Sequence, residues 1–217
     1  MAEKKVIPGK DALDRGEQPK EGDQEVSRRL KMEKLVKEGI DVFPHKVKAT
    51  HSVFEIVEKY SKLSREELEE KKVKVAVPGR IVSMRRMGRA LFFHIMDSRS
   101  RLQAYIREEE VGKRDYELFS LIDIGDIVAI EGVLFRTKTG ELTVLVDSYR
   151  FLAKCFHPLP EKWHGLQDTE LRYRKRYLDL IMNPKEQEVF RLRSSMISLI
   201  REFFDRKGYI EVETPMM

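Results

Sequence analysis

Val73 to Arg107 reads VKVAVPGRIVSMRRMGRALFFHIMDSRSRLQAYIR. Val73, Val75 and Val77 alternate with Lys74 and Ala76, and the run continues through Ile81 and Val82 to Arg85. A period of two is that of a strand, and Pro78-Gly79 inside it predicts a bulge or bend. Ala90 to Met96 is a second strand, Asp97-Ser98-Arg99-Ser100 a turn, and Arg101 to Arg107 a third strand. Downstream, Gly112 to Leu121 predicts a short helix with Tyr116, Phe119 and Leu121 apolar. Asp126 to Arg136 and Glu141 to Leu152 predict two more strands, joined by a hairpin turn at Lys138-Thr139-Gly140. Three strands, a helix and two strands within about 80 residues is the pattern of a closed Greek-key OB barrel. Closure removes the edges that an open five-stranded sheet would expose.

Working outward, residues 1–25 are polar, and their five bases, Lys4, Lys5, Lys10, Arg15 and Lys20, are outnumbered by seven acids. Such a segment buries too little to offset its ordering entropy, so a disordered tail is expected. Ser27 to Glu38 predicts a helix with a partial stripe of Val26, Leu30, Met32, Leu35 and Val36, stopped by Gly39. Its other face carries Arg28, Arg29, Lys31, Lys34 and Lys37, which is either a solvated face or a basic ridge for phosphates. Pro44 and residues 45–50 form a linker, and 52–60 and 64–72 predict short helices, the second with Ser64 and Glu67 in capping-box positions.

Past the barrel, Pro158, Pro160 and Gly165 mark a connector. Asp168 is placed to cap a helix over 169–181, and Asn183-Pro184-Lys185-Glu186 is a strong start signal for a long helix to about Lys207. Val189, Leu192, Met196, Ile200 and Phe203 recur along it at three- and four-residue spacing, Gly208 ends it, and Tyr209 to Thr214 alternates like a strand. A broad apolar helix needs a partner surface and a lone strand needs a sheet, so the chain is expected to stop inside a domain. The predicted organisation is a tail (1–25), a helical extension (26–72), the barrel (73–155), a connector (156–183) and the start of a second domain (184–217).

The chain has 217 residues, 36% of them charged, with a formal net charge of +5. That excess fits a nucleic-acid binder but is shared by many other proteins. A single cysteine, Cys155, rules out an internal disulfide and suits a reducing cytoplasm. With His157 and His164 it falls short of the four ligands of a structural zinc site, and no metal is expected. His45, His51 and His94 read as surface or packing residues. No secretory h-region and no run of the roughly 20 apolar residues that span a bilayer is present.

Within GRIVSMRRMGRALFF, Arg80, Arg85, Arg86 and Arg89 lie beside Phe92 and Phe93. Arginine neutralises phosphate and a flat ring stacks a splayed base, which suits single-stranded RNA. Alternation sends the two rings to opposite faces, so one can be core and the other exposed; the alternative is that both are core and the arginines merely solvated. Gln103 in LQAYI, and Glu141 after the tight turn, are groups able to read the Watson–Crick edge of an unpaired base. No phosphate-binding glycine loop, dinucleotide fingerprint or H-E-x-x-H is present, and no nucleophile stands beside a base and orienter.

KWHGLQDTELRYRKRYLDLI (162–181), FRTKTGELTV (135–144), RRLKMEKLVKEGIDVFP (28–44) and FFDRKGYIEVETPMM (203–217) together resemble the bacterial-type class II lysyl-tRNA synthetases. The last resembles motif 1 of class II synthetases, ending on Pro215. Aspartyl and asparaginyl relatives share the barrel and motif 1, but HGLQD…RYRKRYLDL favours lysine. The resemblance implies a five-stranded OB-fold anticodon-binding barrel, followed by the long helix and strand that start an α+β catalytic domain. It implies anticodon-binding roles for Arg85, Phe92, Gln103 and Glu141, with Phe92 stacking on the central uridine. It implies a homodimer interface at Phe203, Phe204, Gly208 and Pro215, and tRNA(Lys) as partner. Lysine, ATP and Mg2+ are implied only for the intact enzyme, so no catalytic residue and no cofactor is expected within this chain. Met96 departs from the family, where a glutamine is usual. A free-standing OB-fold tRNA-binding protein without ligase activity is the alternative.

Overall fold

The computed structural model describes residues 21–88, 90–160, 166 and 168–215. The chain divides into two compact units, residues 1–158 and 159–217. The expected tail falls over residues 1–20 outside the described residues.

In the first unit, three helices, α1 (Glu21–Lys37), α2 (Val53–Tyr60) and α3 (Arg65–Lys71), precede strands β1 (Lys74–Met87), β2 (Ala90–Met96) and β3 (Arg101–Arg107). Two short helices, α4 (Glu108–Val111) and α5 (Lys113–Phe119), lead to β4 (Ile127–Arg136) and β5 (Leu142–Ala153). The strands close into a barrel in the order β1-β2-β3-β5-β4. All pairs are antiparallel except β3 with β5, where Gln103, Ala104 and Tyr105 face Thr143, Val144 and Leu145 in parallel. The expected OB barrel is thus present. Its interior is filled by alternate residues, among them Val77, Ile81, Phe93, Ile95, Ile130 and Val146, all at 0% exposure. Each such side chain contributes about 1.5–3 kcal/mol by leaving water.

The bulge in β1 is not at Pro78-Gly79, where pairing to β4 runs unbroken from Lys74 to Arg80. Ala76, of the same parity as Pro78, turns its N–H and C=O to Thr50, away from β4. Pro78 therefore removes no ladder donor. Gly79 is needed for space, since a Cβ there would lie 2.8 Å from Ile95 Cβ. The bulge is at Val82: Ile81 faces Ile95, and Ser83, not Val82, faces His94. One extra residue reverses which side chains point out. Ser83 and Arg85 thereby leave the core parity of Val75, Val77 and Ile81 and join the outer face, while Met84 turns inward to pack on the core.

Helix α1 begins at Glu21, so residues 21–25, read as tail, are its first turns. Glu25 ion-pairs with Arg29 one turn on (2.8 Å), which supports that start. The basic face of α1 is partly committed to the barrel. Arg28 donates to the carbonyls of Ile124 and Cys155, and Lys31 bonds Asp123 at 2.5 Å. Asp123 also meets the fully buried Lys154 (2.7 Å), whose ammonium bonds Asp126 as well. Burial pushes the Asp123 carboxyl up, but the hydrogen bonds from Lys154 and Lys31 outweigh it and hold Asp123 below the usual carboxylate range. Ser52 and Ser64 cap α2 and α3 through full capping boxes with Glu55 and Glu67. Arg136 clamps the α2–α3 turn, donating to Leu63 O (2.7 Å), to Ser61 O and to Gly140 O.

The second unit holds α6 (Thr169–Arg174), α7 (Arg176–Met182) and α8 (Pro184–Asp205). Asp168 caps α6 as expected. The single helix expected over 169–181 is broken at Lys175, whose φ of −111° and ψ of 54° leave the helical region. The buried Asp179 carboxylate gathers this junction, accepting from Arg172 (2.8 Å), Arg176 (2.6 Å) and Asn183 (2.6 Å). Asn183 is thereby committed to Asp179 and makes no side-chain cap on α8, and Glu186 pairs with Arg172. Residues 209–215 have no strand pairing among the described residues, contrary to the strand expected over 209–214. A strand exists only through a neighbour to bond with, and none of the described segments supplies one.

Gly132 sits beside a register shift in β4, and a Cβ there would stand 1.9 Å from the Leu145 carbonyl oxygen. Gly132→Ala should therefore destabilise the barrel by about 3 kcal/mol or more in denaturant unfolding. A loss under about 1 kcal/mol would mean that this approach of β4 to β5 is not a constraint.

Candidate nucleic-acid interface

The outer faces of β1, β2, β3 and the start of β5 form one continuous surface. Phe93 is fully buried and Phe92 is only partly covered, so the pair divides between core and surface. Arg85 lies directly across the ladder from Phe92 and is exposed. Among the described residues the Arg85 side chain has no hydrogen-bond or ion-pair partner, which leaves its guanidinium available; Arg86, across from the buried Leu91, is on the other face of β1. Gly88, at φ +62°, turns the chain between Met87 and Ala90, which face each other. The Phe92 ring stacks on Tyr105 (centroids 4.5 Å apart, 29° between planes), and Tyr105 meets Phe135 edge-on at 6.3 Å.

Two pairs along β2 and β3, His94 faces Gln103. The parallel β3–β5 pairing sets Gln103 beside Thr143, so a strand residue and a hairpin residue far apart in sequence become neighbours. The hairpin fixes Glu141. Gly140 takes φ +83°, Glu141 N donates to Thr137 Oγ1 (3.1 Å), and Thr137 N donates to Glu141 O (3.1 Å). Gln103 Nε2 donates to Glu141 Oε2 at 2.7 Å, and His94 Nε2 lies 3.0 Å from Glu141 Oε1. Thr143, fully buried, places its hydroxyl 2.7 Å from Gln103 Oε1 and 3.1 Å from Glu141 O. A hydroxyl has one proton, and the shorter contact takes it. Gln103 is thus fixed with its amide nitrogen toward Glu141.

All four residues singled out in the barrel, Arg85, Phe92, Gln103 and Glu141, lie on this one surface. Sequence reading missed His94, Ser83, Thr143 and the second ring, Tyr105. The signal for His94 was present: alternation puts it on the same side of β2 as Phe92. The surface offers the Arg85 guanidinium, a ring with an open face, and a carboxylate with lone pairs to spare. Those groups can meet phosphate, stack a base and accept from base N–H donors. Cys155 turns its thiol to the His157 carbonyl (3.0 Å), and burial pushes that thiol up; His164 lies outside the described residues.

In the second unit, Phe203 and Phe204 stand at 55% and 47% exposure on α8, with their rings 5.4 Å apart. Gly208, at φ +80°, closes the helix, with Tyr209 N donating to Phe204 O, and Pro215 is exposed. Val189, Leu192, Met196 and Ile200 are all more than half exposed on the same helix.

Thr143→Val should leave Gln103 Oε1 without its donor and lower stability by about 1–2 kcal/mol in thermal unfolding. No loss would mean that the hydroxyl does not hold Gln103.

Comparison with known proteins agrees with the fold. Residues 75–152 match the family of OB-fold nucleic acid binding domains, and residues 168–217 match the class II tRNA synthetases of the D, K and N group. The chain is 47% identical to a lysine–tRNA ligase of Bacillus cytotoxicus over 195 residues, which is 90% of this chain and 39% of that protein. It is 46% identical to a lysine–tRNA ligase of Bacillus cereus strain G9842 over the same shares. It is 47% identical to one from Halalkalibacterium halodurans over 88% of this chain and 38% of that protein. The chain thus spans about two fifths of the length of the curated relatives it matches. With an OB barrel followed in sequence by a class II synthetase segment, the chain is similar to part of the lysine–tRNA ligases.

Proposed function

We propose that this chain reads the anticodon of tRNA(Lys) as part of a lysine–tRNA ligase, the enzyme that charges tRNA with lysine through lysyl-adenylate. The observation that carries the reading is the convergence of Arg85, Phe92, Gln103 and Glu141 on one face of the barrel. Phe92 stacks a splayed base on its open face, Arg85 neutralises a neighbouring phosphate, and Gln103 and Glu141 meet base edges. ATP, Mg2+ and lysine belong, on this reading, to the intact enzyme. Among the described residues no group of three or more His, Cys, Asp or Glu side chains is placed to share a metal ion. No helix of the described residues is long and apolar enough to cross a membrane. A cytoplasmic place in translation fits the reading.

The test is a salt-controlled titration with anticodon stem-loops, one carrying UUU and one with a changed central base. Phe92→Ala should cost about 1–3 kcal/mol with the UUU loop and reduce discrimination. Arg85→Ala should weaken all loops alike and flatten the salt dependence by about one phosphate contact. Equal, salt-sensitive binding to every loop by the unmodified chain would reduce the surface to a generic basic one.

The exposed apolar face of α8, with Phe203, Phe204, Gly208 and Pro215 at its end, is proposed to meet a second copy in a homodimer. Sedimentation should show self-association that Ile200→Glu weakens. A clean, compact monomer across micromolar concentrations would contradict this.

A further inference from the structure

His94 sits between the β1 bulge and the Glu141 hairpin. We propose that His94 is a positioning residue, which holds the Glu141 carboxylate in the orientation that meets a base N–H donor. The proposal rests on the reading of Glu141 as a base-contacting group.

Glu141 is nearly half exposed, with 48% of its side chain accessible, and an exposed glutamate ordinarily samples many rotamers. Here both oxygens have donors: Gln103 Nε2 on Oε2 at 2.7 Å and His94 Nε2 by Oε1 at 3.0 Å. Two donors from two strands fix the plane of the carboxylate. The remaining lone pair on each oxygen is left for a ligand.

The tautomer of His94 follows from its neighbours. A carboxylate only accepts, so Nε2 carries the proton and donates to Glu141. In the neutral ring Nδ1 is then an acceptor, and Ser83 Oγ, 2.8 Å away, supplies the donor. Ser83 can do so because Arg101 Nη2, which only donates, approaches the same oxygen at 3.4 Å. With the ring neutral, the relay runs Arg101 to Ser83 to His94 to Glu141, with every proton directed toward the carboxylate. Its first link depends on the Val82 bulge, which turns Ser83 outward opposite His94. The ring itself is only 17% exposed, so it is held in place before any RNA arrives. Preorganisation of this kind lowers the ordering cost of binding.

The ligand chemistry is a base edge presenting an N–H donor, such as the N3–H of uracil, to a fixed carboxylate. His94→Phe keeps a ring of similar size and removes the donor. His94→Gln restores an N–H donor at similar reach. Both are titrated with the UUU stem-loop and with loops altered at single positions, in the unmodified chain and in a Glu141→Ala background, with thermal unfolding as the check on folding. The expected result is an affinity loss of about tenfold for His94→Phe, substantial recovery for His94→Gln, and no effect of either in the Glu141→Ala background. Equal losses for Phe and Gln, or the same loss in both backgrounds, would overturn the positioning role while leaving the anticodon reading intact. Failure of the unmodified chain to discriminate among the loops would overturn both.

Discussion

Three residue pairs between two parallel strands, Gln103 with Thr143, Ala104 with Val144 and Tyr105 with Leu145, close the barrel. Without them β1 to β3 would be an open meander with an exposed edge at β3. The same pairs assemble the surface proposed to read the anticodon. They carry Gln103 to the Glu141 hairpin and fix its amide through Thr143 Oγ1. A barrel with different closure could keep every core contact of β2 and β3 and still separate Gln103 from Glu141. Barrel closure and the geometry of this surface are one constraint.

The second constraint is the extra residue at Val82. Strand β1 serves two partners, β4 with its first half and β2 with its second. The bulge falls where it changes partner and reverses the outward parity. Arg85 thereby reaches the face of Phe92, and Ser83 the face of His94. Had β1 continued without a bulge, Ser83 and Arg85 would point into the barrel, where an arginine cannot be buried without a partner.

Much of this was legible in the sequence. Ala90 to Met96 and Arg101 to Arg107 were read to the residue, because a strand with one buried face writes its alternation plainly. The bulge was misplaced because Ile81 and Val82 are both apolar, so the change of parity between them leaves no trace in hydrophobicity. Pro78-Gly79 drew attention for composition, while its real reasons are a missing donor facing away from β4 and the nearness of Ile95. The break at Lys175 was invisible because it goes with the Asp179 carboxylate, which gathers Arg172 and Arg176 by side-chain geometry that hydrophobic periodicity does not record. The four barrel residues were singled out by residue type and family resemblance together. His94 was passed over because its partners, Ser83 on β1 and Glu141 in the hairpin before β5, become neighbours only through register.

The most direct measurement of the central claim is the amide NMR footprint of an anticodon stem-loop carrying UUU on the labelled chain. Shift changes should concentrate on the outer residues of β1 to β3 and on the hairpin before β5, around Arg85, Phe92, His94, Gln103 and Glu141, with the opposite wall formed by β4 undisturbed. Changes centred on the basic face of α1, or spread evenly over all exposed lysines and arginines, would contradict the assignment of this barrel face as the site that reads the anticodon.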